Sequence, residues 1–228
     1  VMYLPSFAAT GSKWIDTAKK GETTFAGEPV VWDSVNWLQA LVDNDYLPPG
    51  FQNMEYTDIM NGFLGGQYAM AWAQSLYIPQ MDKAYEEGRL GFMLIPENEN
   101  YDGPRLATIA IQTGISWAFN KDKFDERMQD FFDFVIEHYT EESYKLGIFS
   151  PFNSEIPETA SQMMKDFYAE MVKQTICWIN WDDHCDPVTC QAMDDMVKEF
   201  VSGMITAEEF VTLLDESVQE YGVPYFNE

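Results

Sequence analysis

Apolar residues recur with a helical period along most of the chain. A helix beginning at Pro29 is predicted because apolar residues follow at steps of four, three and four positions, the spacing of one helix face. They are Val31, Val35, Leu38 and Val42. The clearest stripe lies at 124–139, and an aromatic stripe at helical spacing is typical of core packing rather than of a cofactor site. Its members are Phe124, Met128, Phe131, Phe132, Val135, Ile136 and Tyr139.

Residues that start helices predict several further elements. Thr57 is the expected N-cap of a short helix, because its hydroxyl can accept from the first backbone N–H groups. Asp186 is the expected N-cap of a later helix with Pro187 at its first position, where proline is favoured. Thr206 and Glu209 have the spacing of a capping box, which predicts that the last long helix starts there.

Extended segments are predicted between these helices. Residues 68–73 alternate large and small side chains, and this period of two indicates a strand. A second strand is predicted at 90–96, and a long β-like run at 106–119 has Gly114 near its middle, where a bend is expected. Strands among dominant helices predict an α/β, helix-rich fold. The polar turn 74–77 would then follow the first strand, at the sheet edge where α/β proteins bind ligands.

The charge of the chain limits its partners. The sequence has 13 Lys and Arg against 38 Asp and Glu, a net charge of −25. This balance argues against nucleic acid and anionic lipid surfaces as partners. The acidic residues are spread along the chain, which favours a solvated surface, and a cationic ligand such as a polyamine is the alternative. No apolar run approaches 18 residues, so no transmembrane segment is predicted.

Three cysteines, Cys177, Cys185 and Cys190, lie within fourteen residues. This clustering suggests a local disulfide in an oxidising compartment. With Asp186 as N-cap and Pro187 at the first helical position, Cys185 and Cys190 take the positions that meet in a hydrophobic staple. We therefore predict a Cys185–Cys190 disulfide, and the alternative is three reduced, mostly buried thiols.

Known catalytic and metal-binding motifs are absent from the sequence. There is no Walker A loop, GxGxxG, HExxH, CxxC pair or GxSxG. Near His184, three aspartates could in principle ligate a metal, but their spacing matches neither an EF-hand nor a zinc site. We therefore expect no catalytic residue, no metal, no cofactor and no enzymatic activity. Because the chain has 38 acidic residues, some pair of carboxylates is always available. The presence of such a pair is therefore no evidence for glycoside hydrolysis.

Two motifs and the order of the elements resemble a known family. The pattern F-x-x-G-x-x-A-M falls on Phe63, Gly66, Ala69 and Met70. The pattern G-x-x-(T/S)-x-E-E-(A/F) closes the chain, in "VSGMITAEEFVTLLDESVQEY". Over residues 27–222 the chain resembles the extracellular solute-binding protein family 1, the maltose-binding-like receptors of ABC importers.

This resemblance implies a periplasmic-binding-protein-like (type II) lobe, with a small mixed sheet flanked by helices, as a fragment of a two-lobed protein. Residues 1–109 correspond to the first part of the second, C-terminal lobe. Residues 110–165 correspond to an excursion toward the first lobe, and 166–228 to the closing helices of the second. Most of the first lobe, and any lipid-anchored N-terminal cysteine, would lie upstream.

The resemblance also implies a ligand-binding turn. In this family the strand carrying A-M leads to a small polar residue followed by a tryptophan that stacks on a sugar. Gln74 and Ser75 match the polar turn, but the tryptophan position falls on Leu76, so this chain departs from the pattern. Tyr77, next in sequence, and Trp72, in the predicted strand, are the candidates to replace it.

A second set of candidates lies in a loop rich in tryptophan and aspartate. Aromatic rings cover the apolar face of a sugar, while carboxylates and amides bind its hydroxyl groups. In the resembled family this loop precedes a helix that borders the cleft. We predict ligand contacts from Trp181, Asp182 and Asp183, whereas Trp178 is expected to lie in the core.

The function that the resemblance implies is carbohydrate capture without chemistry. The chain would bind a mono- or oligosaccharide in an extracellular or periplasmic location, with a lipid anchor in an upstream segment, and deliver the sugar to the membrane permease of an ABC importer. Two alternatives stay open from the residues. One is a secreted glycoside-processing enzyme, and the other is a binding protein for a non-sugar such as a polyamine or peptide.

Overall fold

The structure is a computed structural model. It describes residues 13–94, 109–110, 117–152, 154–173, 177–178 and 185–227. The chain divides into two compact units. Unit 1 comprises Val1–Met54, Leu94–Gln112 and Gln174–Glu228, and unit 2 comprises Glu55–Met93 and Thr113–Lys173.

Helices dominate the described part of the chain. They are α1 (Lys13–Ala18), α2 (Pro29–Asp43), α3 (Tyr56–Leu64), α4 (Ile78–Glu86), α5 (Glu126–Lys145), α6 (Gln162–Met171), α7 (Pro187–Val201), α8 (Ala207–Ser217) and α9 (Val223–Asn227). Short 3-10 turns occupy Phe51–Asn53, Ser75–Tyr77 and Lys121–Lys123, and a π-helical turn occupies Val218–Gly222.

The predicted α/β class, with its small mixed sheet, is wrong. Neither 68–73 nor 90–94 forms a strand. Strand pairing in the described residues amounts to a two-residue parallel ladder, in which β1 (Ile109–Ala110) pairs with β2 (Cys177–Trp178). The alternation at 68–73 led to a wrong strand prediction, because a strand also needs a neighbouring strand to pair with and a face to bury. Met70, on the expected face, is 76% exposed.

Unit 1 has a core of aliphatic and aromatic side chains from α2, α7 and α8. The buried members are Ala18, Phe25, Val30, Val31, Val35, Met193, Met196, Phe200, Val201, Phe210, Val211, Leu214 and Val218. The predicted helix from Pro29 is confirmed, and the first of its apolar residues, Val31 and Val35, are fully buried.

The helix starts predicted in unit 1 are confirmed. The Asp186 carboxylate accepts from the backbone N–H of Val188 at 3.0 Å and of Thr189 at 2.9 Å, at the start of α7. Thr206 and Glu209 form the expected capping box at the start of α8. These signals are local, since each cap satisfies N–H groups within its own first turn.

Unit 2 is built around a smaller core from α3, α4 and α6. Its buried members are Met60, Ile78, Met81, Met163 and Met164. A hydrogen bond of 2.7 Å from the Tyr85 hydroxyl to the Asp166 carboxylate joins α4 to α6.

Two local expectations in unit 2 need correction. The N-cap of α3 is Glu55, in a capping box with Asp58, and not Thr57. Helix α5 forms as predicted, but its aromatic stripe is only half-buried, with Met128 and Phe131 exposed, and Ser143 is the one buried residue of the helix. Phe131, a member of the stripe, is 62% exposed. Other rings of this region contact one another edge to face instead, as Trp117 and Phe132 do at 5.0 Å between centroids.

Candidate functional site

The turn that the sequence analysis singled out is a well-defined element of unit 2. Residues 70–74 are irregular, and a 3-10 turn over Ser75–Tyr77 follows, with Gln74 as its N-cap residue. The Tyr77 backbone N–H donates to the Gln74 carbonyl at 3.0 Å. Helix α4 begins directly at Ile78, which is buried in the core of unit 2. The turn is therefore held by the buried start of a helix.

The side chains of the turn differ in exposure. Trp72 is 46% exposed and Leu76 is 45% exposed. Gln74 is exposed, while Ser75 and Tyr77 are half-buried. An indole ring, a carboxamide and a hydroxyl group thus lie within four sequence positions at the surface of unit 2, from Trp72 to Ser75. This combination can cover an apolar ring face and hydrogen-bond to hydroxyl groups.

A tyrosine that sequence reasoning missed lies behind this turn. Tyr56 is the first residue of α3, and its hydroxyl donates to the backbone carbonyl of Trp72 at 2.8 Å. Its ring stacks on Tyr77, with 4.2 Å between centroids and 23° between ring planes. One face of Tyr77 is therefore covered. Both rings also pack against the core of unit 2.

The Tyr56 hydroxyl stays protonated at physiological pH. Burial raises the pKa of Tyr56 above its ordinary value of 10.0, the neighbouring Tyr77 adds to this, and a backbone hydrogen bond at Gln74 opposes it. Tyr56 is thus a neutral hydrogen-bond donor under the Trp72 backbone. No local pattern could have revealed this contact, because the two residues are 16 positions apart and in different elements.

The remaining candidates are only partly described. Trp181, Asp182 and Asp183 lie outside the described residues, as does His184. Cys185 and Cys190 are half-buried and flank the start of α7 in the positions that the sequence indicated. The proposed bond between them stays a prediction.

Two further features, a metal site and a membrane-spanning helix, are absent from the described residues. Within them, no group of three or more His, Cys, Asp and Glu side chains is arranged to hold a metal ion. None of the helices in this part of the chain has the length and apolar character needed to cross a bilayer.

An acidic depression lies in unit 1. It is open to solvent and has a volume of about 590 Å³. Its lining residues are Thr212, Asp215, Glu216, Gln219 and Glu220. The Asp215 carboxylate already accepts from the backbone N–H groups of Phe25 and Ala26. That carboxylate therefore has a structural role, and the depression offers little specific support for a cationic ligand.

Comparison with solved structures identifies a similar fold. The chain shares the fold of a chitin oligosaccharide binding protein. The two superpose with a TM-score of 0.74 at 17% sequence identity, over 95% of this chain. The chain spans 55% of the length of that protein. No family model matches the sequence, so membership of solute-binding family 1 in particular is not established.

A search of curated proteins finds no matching relative. The structural likeness is thus one of fold, and at this identity it does not carry ligand choice from one protein to the other. It does show that the helix-rich architecture described above is one that a sugar-binding protein uses.

Proposed function

We propose that the chain is the ligand-binding component of an extracellular or periplasmic receptor for an oligosaccharide, with a chitin-type oligosaccharide as the first candidate. The observation that carries this proposal is the exposed Trp72, beside Gln74 and Ser75, on a turn that Tyr56 holds from behind. A chitin oligosaccharide binding protein has a similar fold, and its named ligand is the reason for testing a chitin-type oligosaccharide first.

Trp72 is the stacking residue in this proposal. Trp72 is 46% exposed, and an aromatic face covers the C–H groups of a pyranose well. Tyr56 covers one face of the Tyr77 ring, so in this proposal Tyr77 supports the turn and does not stack on the sugar. Gln74 and Ser75 supply donors and acceptors for sugar hydroxyl groups. Trp181, Asp182 and Asp183 stay proposed ligand residues on the sequence argument alone.

Delivery to an ABC permease, a lipid anchor upstream, and the division at 1–109, 110–165 and 166–228 are further parts of the proposal. They rest on the resemblance of the motifs around Phe63 and Thr206. A receptor of this kind encloses its ligand by closing two lobes. The chain spans 55% of the similar protein, and we expect it to bind more weakly than a two-lobed receptor would.

Calorimetric titration with chitin oligosaccharides, maltooligosaccharides and spermidine tests the proposal. We expect heat of binding with a sugar, and the same sugar should raise the melting temperature by mass action. Saturable binding of spermidine alone, weakening strongly with salt, would instead favour the polyamine alternative. Chromatography after prolonged incubation should recover the sugar intact, and steady release of shorter sugars would favour the glycosidase alternative.

A matched pair of variants locates the polar contacts. Gln74→Ala should weaken sugar binding about fivefold, the loss of roughly one hydrogen bond. Gln67→Ala removes an exposed glutamine of the same unit that lies outside the turn, and it should leave the affinity unchanged. Equal affinities for the two variants would remove Gln74 from the site.

A further inference from the structure

We infer that Tyr56 is the positioning residue of the ligand turn, which sets the orientation of Trp72 and so the affinity for an oligosaccharide. Its hydroxyl holds the backbone of Trp72 and its ring holds Tyr77. The Tyr56 side chain therefore contacts the segment at Trp72 and at Tyr77, and Gln74 and Ser75 lie between these two residues in the sequence. The consequence for affinity rests on the proposed function, but the positioning itself does not.

Tyr56 is itself fixed from below. It begins α3, where Glu55 and Asp58 form a capping box that anchors the first turn of the helix. Its ring packs against the buried cluster of unit 2. A rigid support of this kind can keep the turn in one conformation. This matters for binding, because a binding group must be held within a fraction of an ångström of its productive geometry.

The contact with Trp72 is directional. The hydroxyl donates to a main-chain carbonyl at 2.8 Å, a good hydrogen-bond length. Because the pKa of Tyr56 is raised mainly by burial, the donor persists through the neutral range.

The contact also lies near the surface, since Trp72 is 46% exposed. Water can replace the hydroxyl as a partner of the carbonyl when the hydroxyl is removed. Loss of the hydroxyl should therefore cost little stability while it loosens the turn. This combination separates a positioning role from a merely structural one.

Fluorine NMR of protein labelled with 5-fluorotryptophan tests the inference without a ligand. The fluorine signal that is present in the unmodified protein but missing from the Trp72→Phe variant is the signal of Trp72. Tyr56→Phe keeps the ring but removes the hydroxyl, and it should shift or broaden the Trp72 signal. The control is Tyr85→Phe, which removes a phenol hydrogen bond of 2.7 Å to Asp166 in the same unit and should leave that signal in place.

Sugar binding is the second readout. Tyr56→Phe should weaken binding of a chitin oligosaccharide about fivefold, with a melting temperature close to that of Tyr85→Phe. Tyr56→Leu, which also removes the ring stack, should weaken it further. An unchanged Trp72 signal in Tyr56→Phe, or an equal change in Tyr85→Phe, would overturn the inference. If the unmodified chain binds none of the sugars, the proposed function fails, and the fluorine spectra alone decide the role of Tyr56.

Discussion

The two units bury their apolar side chains in different ways. In the described residues, the core of unit 1 has thirteen buried members, mostly valine, phenylalanine, leucine and methionine. The core of unit 2 has five, of which four are methionine. Methionine is flexible and fills irregular space, so it specifies packing less sharply than branched or aromatic side chains.

Several large rings of unit 2 lie near the surface, although unit 1 also exposes Trp37, Tyr46, Tyr221 and Tyr225. Partly buried aromatic residues surround its core, and further rings on and around α5 are exposed. They include Trp117, Phe119, Phe131, Phe134 and Phe152, and Trp72 is a further exposed ring, before α4. In the described residues, unit 1 therefore has the larger core with more branched and aromatic side chains, whereas unit 2 has a small methionine-rich core and several exposed rings.

The largest expected effect is the loss of a core ring in unit 1. Phe210 is 1% exposed and stacks on Phe200 at 5.4 Å. Phe210→Ala should lower the free energy of unfolding by about 4 kcal/mol, through lost burial and the cavity left behind. Urea denaturation measures this. The control is Phe134→Ala in unit 2, a ring that is 59% exposed, which should change stability by less than about 0.5 kcal/mol. Similar losses for both would erase the contrast between the units.

A smaller effect is expected from overpacking in unit 2. A β-carbon added at Gly62 would lie 2.2 Å from Cε2 of Tyr68, so the ring must move. Gly62→Ala should therefore cost about 1–2 kcal/mol, after the gain in helix propensity is allowed for.

Gly91→Ala is the matched change, because no described atom lies within 4 Å of its added β-carbon. It should be nearly neutral in the same denaturation experiment. If Gly62→Ala proved as neutral as Gly91→Ala, unit 2 would be looser around Tyr68 than the structure indicates.

The smallest effect concerns the pH dependence of unit 1. Hydrogen bonds from the Thr206 backbone and then its side chain lower the pKa of Glu209 from 4.5. A lowered pKa stabilises the folded state above the unfolded value, and this contribution is lost as the pH falls through the folded pKa. Stability should therefore decline below about pH 4.5, the unfolded value.

Glu209→Gln keeps a capping side chain but removes the charge, so its acid decline should be shallower than that of the unmodified chain. Thermal melts between neutral pH and pH 3 measure the slope. Glu208→Gln removes a neighbouring carboxylate outside the capping box, and it should preserve the original slope. Identical slopes for both variants would speak against the lowered pKa.

The sequence predicted most features that depend on local chemistry, although it placed the N-cap of α3 at Thr57 instead of Glu55. The Asp186 carboxylate accepts from N–H groups of the first turn of α7, and Thr206 and Glu209 bond reciprocally at the start of α8, so both helix starts could be predicted from nearby residues. The strand expected at 68–73 failed because pairing depends on a distant neighbour that alternation does not reveal.

The candidate site shows the same division. The turn at Gln74 and Ser75 was visible from its order behind the F-x-x-G-x-x-A-M pattern. Tyr56 was not, because its contacts with Trp72 and Tyr77 join separate elements. The aromatic stripe predicted α5 but not that the stripe is only half-buried, since a helical period says which residues share a face and not what covers that face.

One measurement tests most directly the claim that unit 2 carries the ligand surface. Trp72 in unit 2 and Trp37 in unit 1 are equally accessible, at 46% and 45%. Calorimetric titration with a chitin oligosaccharide should show Trp72→Ala binding about 10- to 100-fold more weakly, the loss expected for an aromatic stacking platform. Trp37→Ala should match the unmodified chain. Full affinity in Trp72→Ala, or an equal loss in Trp37→Ala, would contradict the account.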